Sequence, residues 1–237
     1  MTVKPKRDSG AKFELMPQAK MPLAVLWDMD GTLIDSEPYW HESELALAAA
    51  HDAEWTDADS MTLIGKSLYD SSAMLKERFE SDLHQHEIIK QMTDHVVSRL
   101  ESEILWRPGA RELLQELREA GIKTALVTMS MRRMALAVAN SVGFKAFDLV
   151  VAGDDVSRGK PHPEAYLTAA TTLQVDPAHC IALEDSPTGI ASAEAAGVLT
   201  IGIQNLVTLS PQSNRPVLDT LDGFRLEHLQ KLFEEHS

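Results

Sequence analysis

Asp28 and Asp30 stand two residues apart at the end of a short apolar run, and Gly31-Thr32 follows them directly. A run of residues 23–28 that ends in a carboxylate before a glycine turn reads as a buried strand delivering Asp28 into a loop. Once that loop bends at Gly31, the two carboxylates can serve opposite tasks, one as an ionised nucleophile and the other as a general acid and base. A second acidic pair, Glu184-Asp185, ends another apolar run and offers oxygen ligands to a hard cation. Thr128 closes a third run; a hydroxyl there reads either as an ordinary helix N-cap or as a hydrogen-bond donor to a bound group. Lys160 lies between Gly159 and Pro161 in a loop, a less ordinary place for a lysine than a solvated helix face. The 9 histidines include no HExxH spacing, so histidine-bound zinc is not expected.

These residues need a scaffold that brings loop ends together. Five short apolar runs, at 23–28, 122–128, 147–152, 180–184 and 198–203, alternate with helical patterns at about 108–120, 163–173 and 187–196. That alternation predicts an α/β fold with a doubly wound, Rossmann-like parallel sheet buried on both faces. Ligands of such sheets bind beyond the carboxyl ends of the strands. Asp28, Asp30, Thr128, Asp154, Glu184 and Asp185 all fall at or just past those ends. For Asp154-Asp155, support of Lys160 and simple solvation stand side by side. About seventy residues separate the first two runs, too many for a crossover and too helical for a loop. Residues 42–51, 67–79 and 87–103 carry apolar side chains at helical spacing, which predicts a small inserted bundle. The division is therefore a polar, flexible lead-in at 1–20, a core at 21–36 plus 107–237, and a helical cap at 37–106. Asp35-Ser36 is expected to anchor the hinge or cap the first helix of the insertion. The C-terminal LEHLQKLFEEHS reads as a helix covering the core.

The phrase Asp28-Met29-Asp30-Gly31-Thr32-Leu33-Ile34-Asp35-Ser36-Glu37 resembles the first motif of haloacid dehalogenase superfamily phosphatases, and Leu183-Glu184-Asp185-Ser186-Pro187-Thr188-Gly189 resembles the family's acidic motif. The resemblance runs from about residue 22 to 203, and is nearest the branch of beta-phosphoglucomutase and the sugar-phosphate and phosphoglycolate phosphatases. It implies catalytic roles for Asp28, Asp30, Thr128 and Lys160, with Asp28 forming an aspartyl phosphate and Asp30 handling the proton. It also implies phosphate binding by Thr128, the Met129 amide and Lys160, and Mg²⁺ held by Asp28, Asp30 through its carbonyl, Asp185 and Glu184. A carboxylate approaching a phosphate dianion meets like charge, which such a cation offsets. The implied substrate is a small phosphorylated metabolite. Specificity in this family comes from the cap, where Trp40, His41, Tyr69 and above all Lys66 after Gly65 are the candidates.

Two other readings are weighed against a phosphatase. A phosphosugar mutase has a histidine where this chain has Trp40, a lysine where it has Met131, and a cap arginine where it has Leu68, although Arg132, Arg133 and Lys66 lie near those places. A catalytically silent binding module of the same fold would not need all four motif elements intact. Composition narrows the field further. Against 22 Lys plus Arg there are 36 Asp plus Glu, a net charge of −14 that repels nucleic acid and anionic membranes. No apolar run approaches the length of a membrane span, and the single Cys180 sits in an apolar run as a buried thiol. The expectation is a cytoplasmic monomer or weak homo-oligomer.

Overall fold

The computed structural model describes residues 21–64 and 66–236, so the lead-in at 1–20 and Gly65 lie outside it. Strands β1 (Ala24–Trp27), β2 (Lys123–Val127), β3 (Leu149–Val151), β4 (Cys180–Glu184), β5 (Leu199–Ile203) and β6 (Val217–Leu218) form one parallel sheet. Its order is β3-β2-β1-β4-β5-β6, the Rossmann arrangement with its switch point beside β1. Alternating side chains reach both faces. Val25 and Trp27 join one buried cluster, whereas Ala24 and Leu26 join another with Ala182. A sheet buried on both sides reads as continuous apolar runs, which is why periodicity of two is absent from these segments.

Helices α1 (Glu37–Ala50), α2 (Asp57–Met61), α3 (Leu68–Arg78) and α4 (Gln85–Ser102) fill the stretch between β1 and β2. Leu47, Leu75, Ile88 and Met92 give that stretch a buried cluster of its own. The chain leaves and re-enters the sheet region side by side. The Asp35 amide donates to the Leu105 carbonyl at 2.7 Å, and the Arg107 amide to the Leu33 carbonyl at 3.0 Å. Asp35 thus anchors this crossing through its backbone. Ser36 occupies the N-cap position of α1, but its side chain makes no cap hydrogen bond.

Beyond β1 come α5 (Ala110–Glu119), α6 (Arg132–Ser141), α7 (Glu164–Leu173), α8 (Pro187–Ala195) and α9 (Leu226–His236). Leu113, Leu114 and Leu117 of α5 and Leu229 and Phe233 of α9 pack with Val25 and Trp27, so the last helix covers core surface as expected. Full burial of each such side chain contributes about 1.5–3 kcal/mol. Tyr166, Ala169 and Ala170 of α7 close the opposite face.

Three elements escaped the sequence reading. Strand β6 is two half-buried residues after Pro216, too short for any pattern. Helix α2 spans five residues without a buried side chain. Helix α6 has Met131 at its N-cap position, which offers no side-chain cap, so the N-terminal signal is missing. Thr128 therefore does not cap α6. None of the described helices is long and apolar enough to cross a membrane.

Candidate active site

Strand register sets the floor of the site. Trp27 pairs with Leu126 on one side and Leu183 on the other, so Asp28 and Glu184 emerge level with Val127, and Thr128 and Asp185 follow one residue beyond. The Asp28 amide donates to the Leu183 carbonyl at 3.0 Å, and the Thr128 amide to the Val151 carbonyl at 2.9 Å. Gly31 turns the chain with a φ of +84°, and a Cβ there would sit 1.9 Å from Asp185 Oδ2. Only glycine combines that backbone conformation with so close an approach.

Lys160 enters from the loop before α7 and is almost wholly buried. Its Nζ donates to Asp28 Oδ1 at 2.6 Å, to Glu184 Oε1 at 2.6 Å and to the Val127 carbonyl at 3.0 Å. Burial pulls against its charge, but Asp28 and Glu184 outweigh that and hold the ammonium pKa above its ordinary value. Glu184, with no exposed surface, also accepts from the Tyr166 hydroxyl at 2.6 Å and the Ser186 hydroxyl at 3.2 Å. Ser186 in turn caps α8 by accepting from the Gly189 amide at 3.0 Å. One residue thereby starts a helix and orients a buried carboxylate.

Asp30 collects four donors. Ser36 Oγ reaches Oδ1 at 2.5 Å and Trp40 Nε1 reaches the same oxygen at 3.4 Å; Ser130 Oγ and Thr128 Oγ1 reach Oδ2 at 2.7 and 3.2 Å. These come from both sides of the cleft, since Trp40 lies in the first helix of the insertion and Ser36 immediately precedes it. Ser36 makes no cap bond because its hydroxyl is turned to Asp30. Sequence reasoning missed Ser36 and Ser130 as partners of Asp30. The small hydroxyls near the motif were the only available signal.

Asp28, Glu184 and Asp185 each bring a carboxylate oxygen within 4.8 Å of the others. Burial pushes the Asp28 carboxyl well above the usual range; Lys160 opposes this, while Glu184, Asp185 and Asp30 add to it. Burial and then Glu184 raise Asp185 to about 7, against a hydrogen bond from Asn205 Nδ2 at 2.9 Å. Three clustered carboxylates with one ammonium are short of positive charge, and all-oxygen donors suit a hard divalent cation.

A cleft of about 500 Å³ opens above this floor, lined by Asp28, Asp30, Thr128, Met129, Lys160 and Asp185 from the sheet side. Trp40, His41 and Lys66 line it from the insertion, whereas Tyr69 is exposed on α3 outside it. Asp154 and Asp155 neither support Lys160 nor stand free. Asp154 accepts from the Arg132 amide and Asp155 from the Arg132 guanidinium, both at 2.8 Å, because α6 begins where β3 ends. Arg133 points the other way, to Asp94 and the Lys90 carbonyl on α4, so neither arginine lines the cleft. Met129 touches Lys160 through sulfur, which lies 3.3 Å from the Lys160 amide. Cys180 is buried, and burial pushes its thiol up to about 12, as fits an inert core residue.

Fold and cleft together define a doubly wound α/β protein whose polar groups gather at the carboxyl ends of its parallel sheet. The chain belongs to the haloacid dehalogenase-like hydrolases, whose family model matches residues 22–197. A phosphorylated carbohydrates phosphatase of Thermotoga maritima is 34% identical over 74% of this chain and 82% of its own length. A bifunctional riboflavin kinase/FMN phosphatase of Arabidopsis thaliana is 29% identical over 88% of this chain, which spans only 56% of that protein. Among solved structures, a substituted form of CbbY from Rhodobacter sphaeroides in complex with xylulose-(1,5)bisphosphate shares 28% identity. It superposes with a TM-score of 0.75, over 85% of this chain and 95% of its own.

Proposed function

We propose that this protein is a Mg²⁺-dependent phosphatase that hydrolyses a small phosphorylated metabolite through an aspartyl phosphate on Asp28. The observation that carries this reading is the pairing of Asp28 with buried Lys160 at 2.6 Å, two residues from an Asp30 that is held by four donors beside the same cleft. An ammonium against the nucleophile favours its ionised form against the pull of burial and its acidic neighbours, and fixed donors orient the second carboxylate for proton transfer. Named phosphatases among the relatives support the reaction class.

In this reading the Asp28 carboxylate attacks phosphorus and the ester oxygen departs with a proton from Asp30. Asp30 then takes a proton from water, which attacks the acyl phosphate and frees inorganic phosphate and Asp28. Thr128 and the Met129 amide serve as donors to the phosphoryl oxygens, and Lys160 offsets their charge. Asp28, Asp185, Glu184 and the Asp30 carbonyl would hold Mg²⁺, with Glu184 Oε1 already engaged by Lys160 and Tyr166. Bound there, the cation supplies charge compensation for a phosphate dianion entering among carboxylates. Catalysis is then mainly positioning and electrostatic stabilisation. The helical insertion, residues 37–106, acts as the cap that covers the cleft and presents Lys66.

The test is phosphate release from sugar phosphates, polyol phosphates, phosphoglycolate and nucleotides, with Mg²⁺ or with chelator. Release from a few esters that requires Mg²⁺ is the expected result; isomerisation of a hexose 1-phosphate in place of release would overturn it.

The cluster also predicts how Mg²⁺ binding varies with pH. With Asp185 at about 7 in the folded chain against 3.8 as its ordinary value, the native state holds a proton that the unfolded chain releases. Metal-free stability therefore falls as pH rises through that window. Mg²⁺ needs the ionised form, so its apparent affinity should drop about tenfold per pH unit below pH 7. Thermal unfolding with and without Mg²⁺ at pH 6 and pH 8 measures this. A larger stabilisation at pH 6 would contradict it.

A further inference from the structure

Asp185 is held differently from the two carboxylates beside it. Asp28 and Glu184 share the Lys160 ammonium, each at 2.6 Å. Asp185 Oδ2 accepts from a neutral amide instead, Asn205 Nδ2 at 2.9 Å, across 20 positions of the chain. Gly31 closes the other side of this pair. A Cβ there would overlap both Asp185 Oδ2 and Asn205 Nδ2, so the acid and the amide fill the space that a side chain at 31 would need. A loop asparagine commonly bonds its own neighbouring backbone, and this one reaches across the sheet.

The loop that carries Asn205 is braced on several sides. It follows β5, and the Gln204 side chain closes it: Nε2 donates to the Leu209 carbonyl at 2.8 Å, and Oε1 accepts from the Leu209 amide at 3.0 Å. Leu209 is buried over Gly202, its Cδ1 3.0 Å from where a Cβ at 202 would stand. The Gln204 amide donates to the Leu218 carbonyl at 2.8 Å, which ties the loop to β6. The Gln204 carbonyl accepts from Arg107 Nη2 at 2.8 Å. Arg107 lies where the insertion returns to the sheet region, and its own amide bonds to Leu33, two residues past Gly31. One arginine thereby joins the loop after β5 to the chain that delivers Asp28 and Asp30.

We propose that Asn205 is a positioning residue for the cation: it fixes the plane of the Asp185 carboxylate without cancelling its charge, so affinity for Mg²⁺ depends on the braced loop after β5. This rests on the Mg²⁺ reading of the acidic cluster. Pinning one oxygen of a carboxylate sets where the other points, and partners that orient ligand groups in this way contribute to metal affinity. The choice of an amide matters. An ammonium at the same place would orient Asp185 equally well but would neutralise it and repel the cation, whereas an amide donates a hydrogen bond and carries no charge. Of the three clustered carboxylates, Asp185 is thus the one without an ammonium within hydrogen-bond reach among the described residues.

The experiment reads Mg²⁺ affinity from the rise in Tm over a Mg²⁺ series, for the full chain and its Asn205→Leu and Asn205→Ala variants, beside the Mg²⁺ dependence of p-nitrophenyl phosphate hydrolysis. Asn205 is half-buried, so both variants should fold. Leucine is close to asparagine in size and shape but has no donor, which separates the hydrogen bond from the packing. Asn205→Leu should weaken Mg²⁺ binding about tenfold or more, the scale on which lost partners of metal ligands act. The Mg²⁺ concentration for half-maximal hydrolysis should rise by a similar factor, while kcat at saturating Mg²⁺ stays within about threefold. Tm in chelator should change by no more than about 4 °C, as for one hydrogen bond in a chain of this size. Asn205→Ala should lose affinity to the same extent. Unchanged affinity in Asn205→Leu, or a loss in Asn205→Ala that leucine restores, overturns this proposal and leaves the Mg²⁺ reading standing. No rise in Tm with Mg²⁺ in the unsubstituted chain overturns both.

Discussion

Asp28→Asn should abolish phosphate release, lowering kcat by at least about 10⁴-fold, on the scale seen when a catalytic nucleophile is removed. Asparagine is nearly isosteric with aspartate and its oxygen can still accept from Lys160 Nζ, which lies 2.6 Å from Asp28 Oδ1. Backbone support also survives, because the Asp28 amide bonds to the Leu183 carbonyl whatever the side chain. What is lost is the charge and the second nucleophilic oxygen. The amide cannot form an acyl phosphate, so the covalent path closes while the fold is retained. Removing one carboxylate from a cluster that burial and like charge already disfavour should leave thermal stability unchanged or higher. Phosphate release and thermal unfolding of the same preparation check both halves. Residual turnover within about tenfold of the unsubstituted protein would assign the attack to water and reduce Asp28 to a bystander.

Lys160→Ala is the second large effect, and it reaches stability as well as activity. The lysine is 5% exposed, Asp28 9% and Glu184 0% by side chain, so its loss leaves two buried carboxylates without their cation. Breaking a buried ion pair from one side costs about 3–5 kcal/mol. For a chain of this size that is a fall of roughly 10 °C in Tm. The sign of the pH dependence follows from the same charges. Without Lys160 the Asp28 carboxyl has lost the one neighbour that lowers its already raised pKa. The folded variant then holds a proton that the unfolded chain gives up, so its stability falls as pH rises. The deficit relative to the unsubstituted protein should be largest at pH 8 and shrink toward pH 5.5, measured with chelator present so that no cation substitutes for the ammonium. Activity with Mg²⁺ should drop by about 10³-fold, as expected for losing a preorganised charge at a phosphoryl group. An equal Tm deficit at both pH values would mean that the lost packing of the Lys160 side chain matters more than the ionisation of Asp28.

The elements that position the site were legible because each carries its own signal. A strand buried on both faces must be apolar throughout, and 180–184 was bounded to the residue, since Glu184 ends the run and Pro187 starts the next helix. Gly121 and Gly197 follow α5 and α8 with positive φ, where they marked the stops. Elements without such signals were not readable. β6 has two residues, α6 lacks a capping side chain, and α2 buries nothing, so no local pattern announces them.

At the site, the residue types and their order along the chain were settled by the sequence alone: Asp28 and Asp30 around a turn at Gly31, an acidic pair at the end of β4, and an α/β sheet to gather them. Those facts are local, because a motif and a hydrophobic period each live within a few residues. The pairing of side chains was decided by tertiary structure. Lys160 meets Asp28 across 132 positions and Ser130 meets Asp30 across 100, distances over which no periodicity carries information. Thr128 turned from a possible cap into a partner of Asp30, and Asp155 from a possible support of Lys160 into the partner of Arg132. Each outcome follows from strand register and from where α6 begins, and these depend on how two faces of one sheet pack their helices. Whether Glu184 is a ligand or a brace, and whether Glu37 faces solvent or the cleft, are likewise properties of the packed molecule. A carboxylate's role depends on which charges surround it once water is excluded, and that surrounding exists only after the chain has folded.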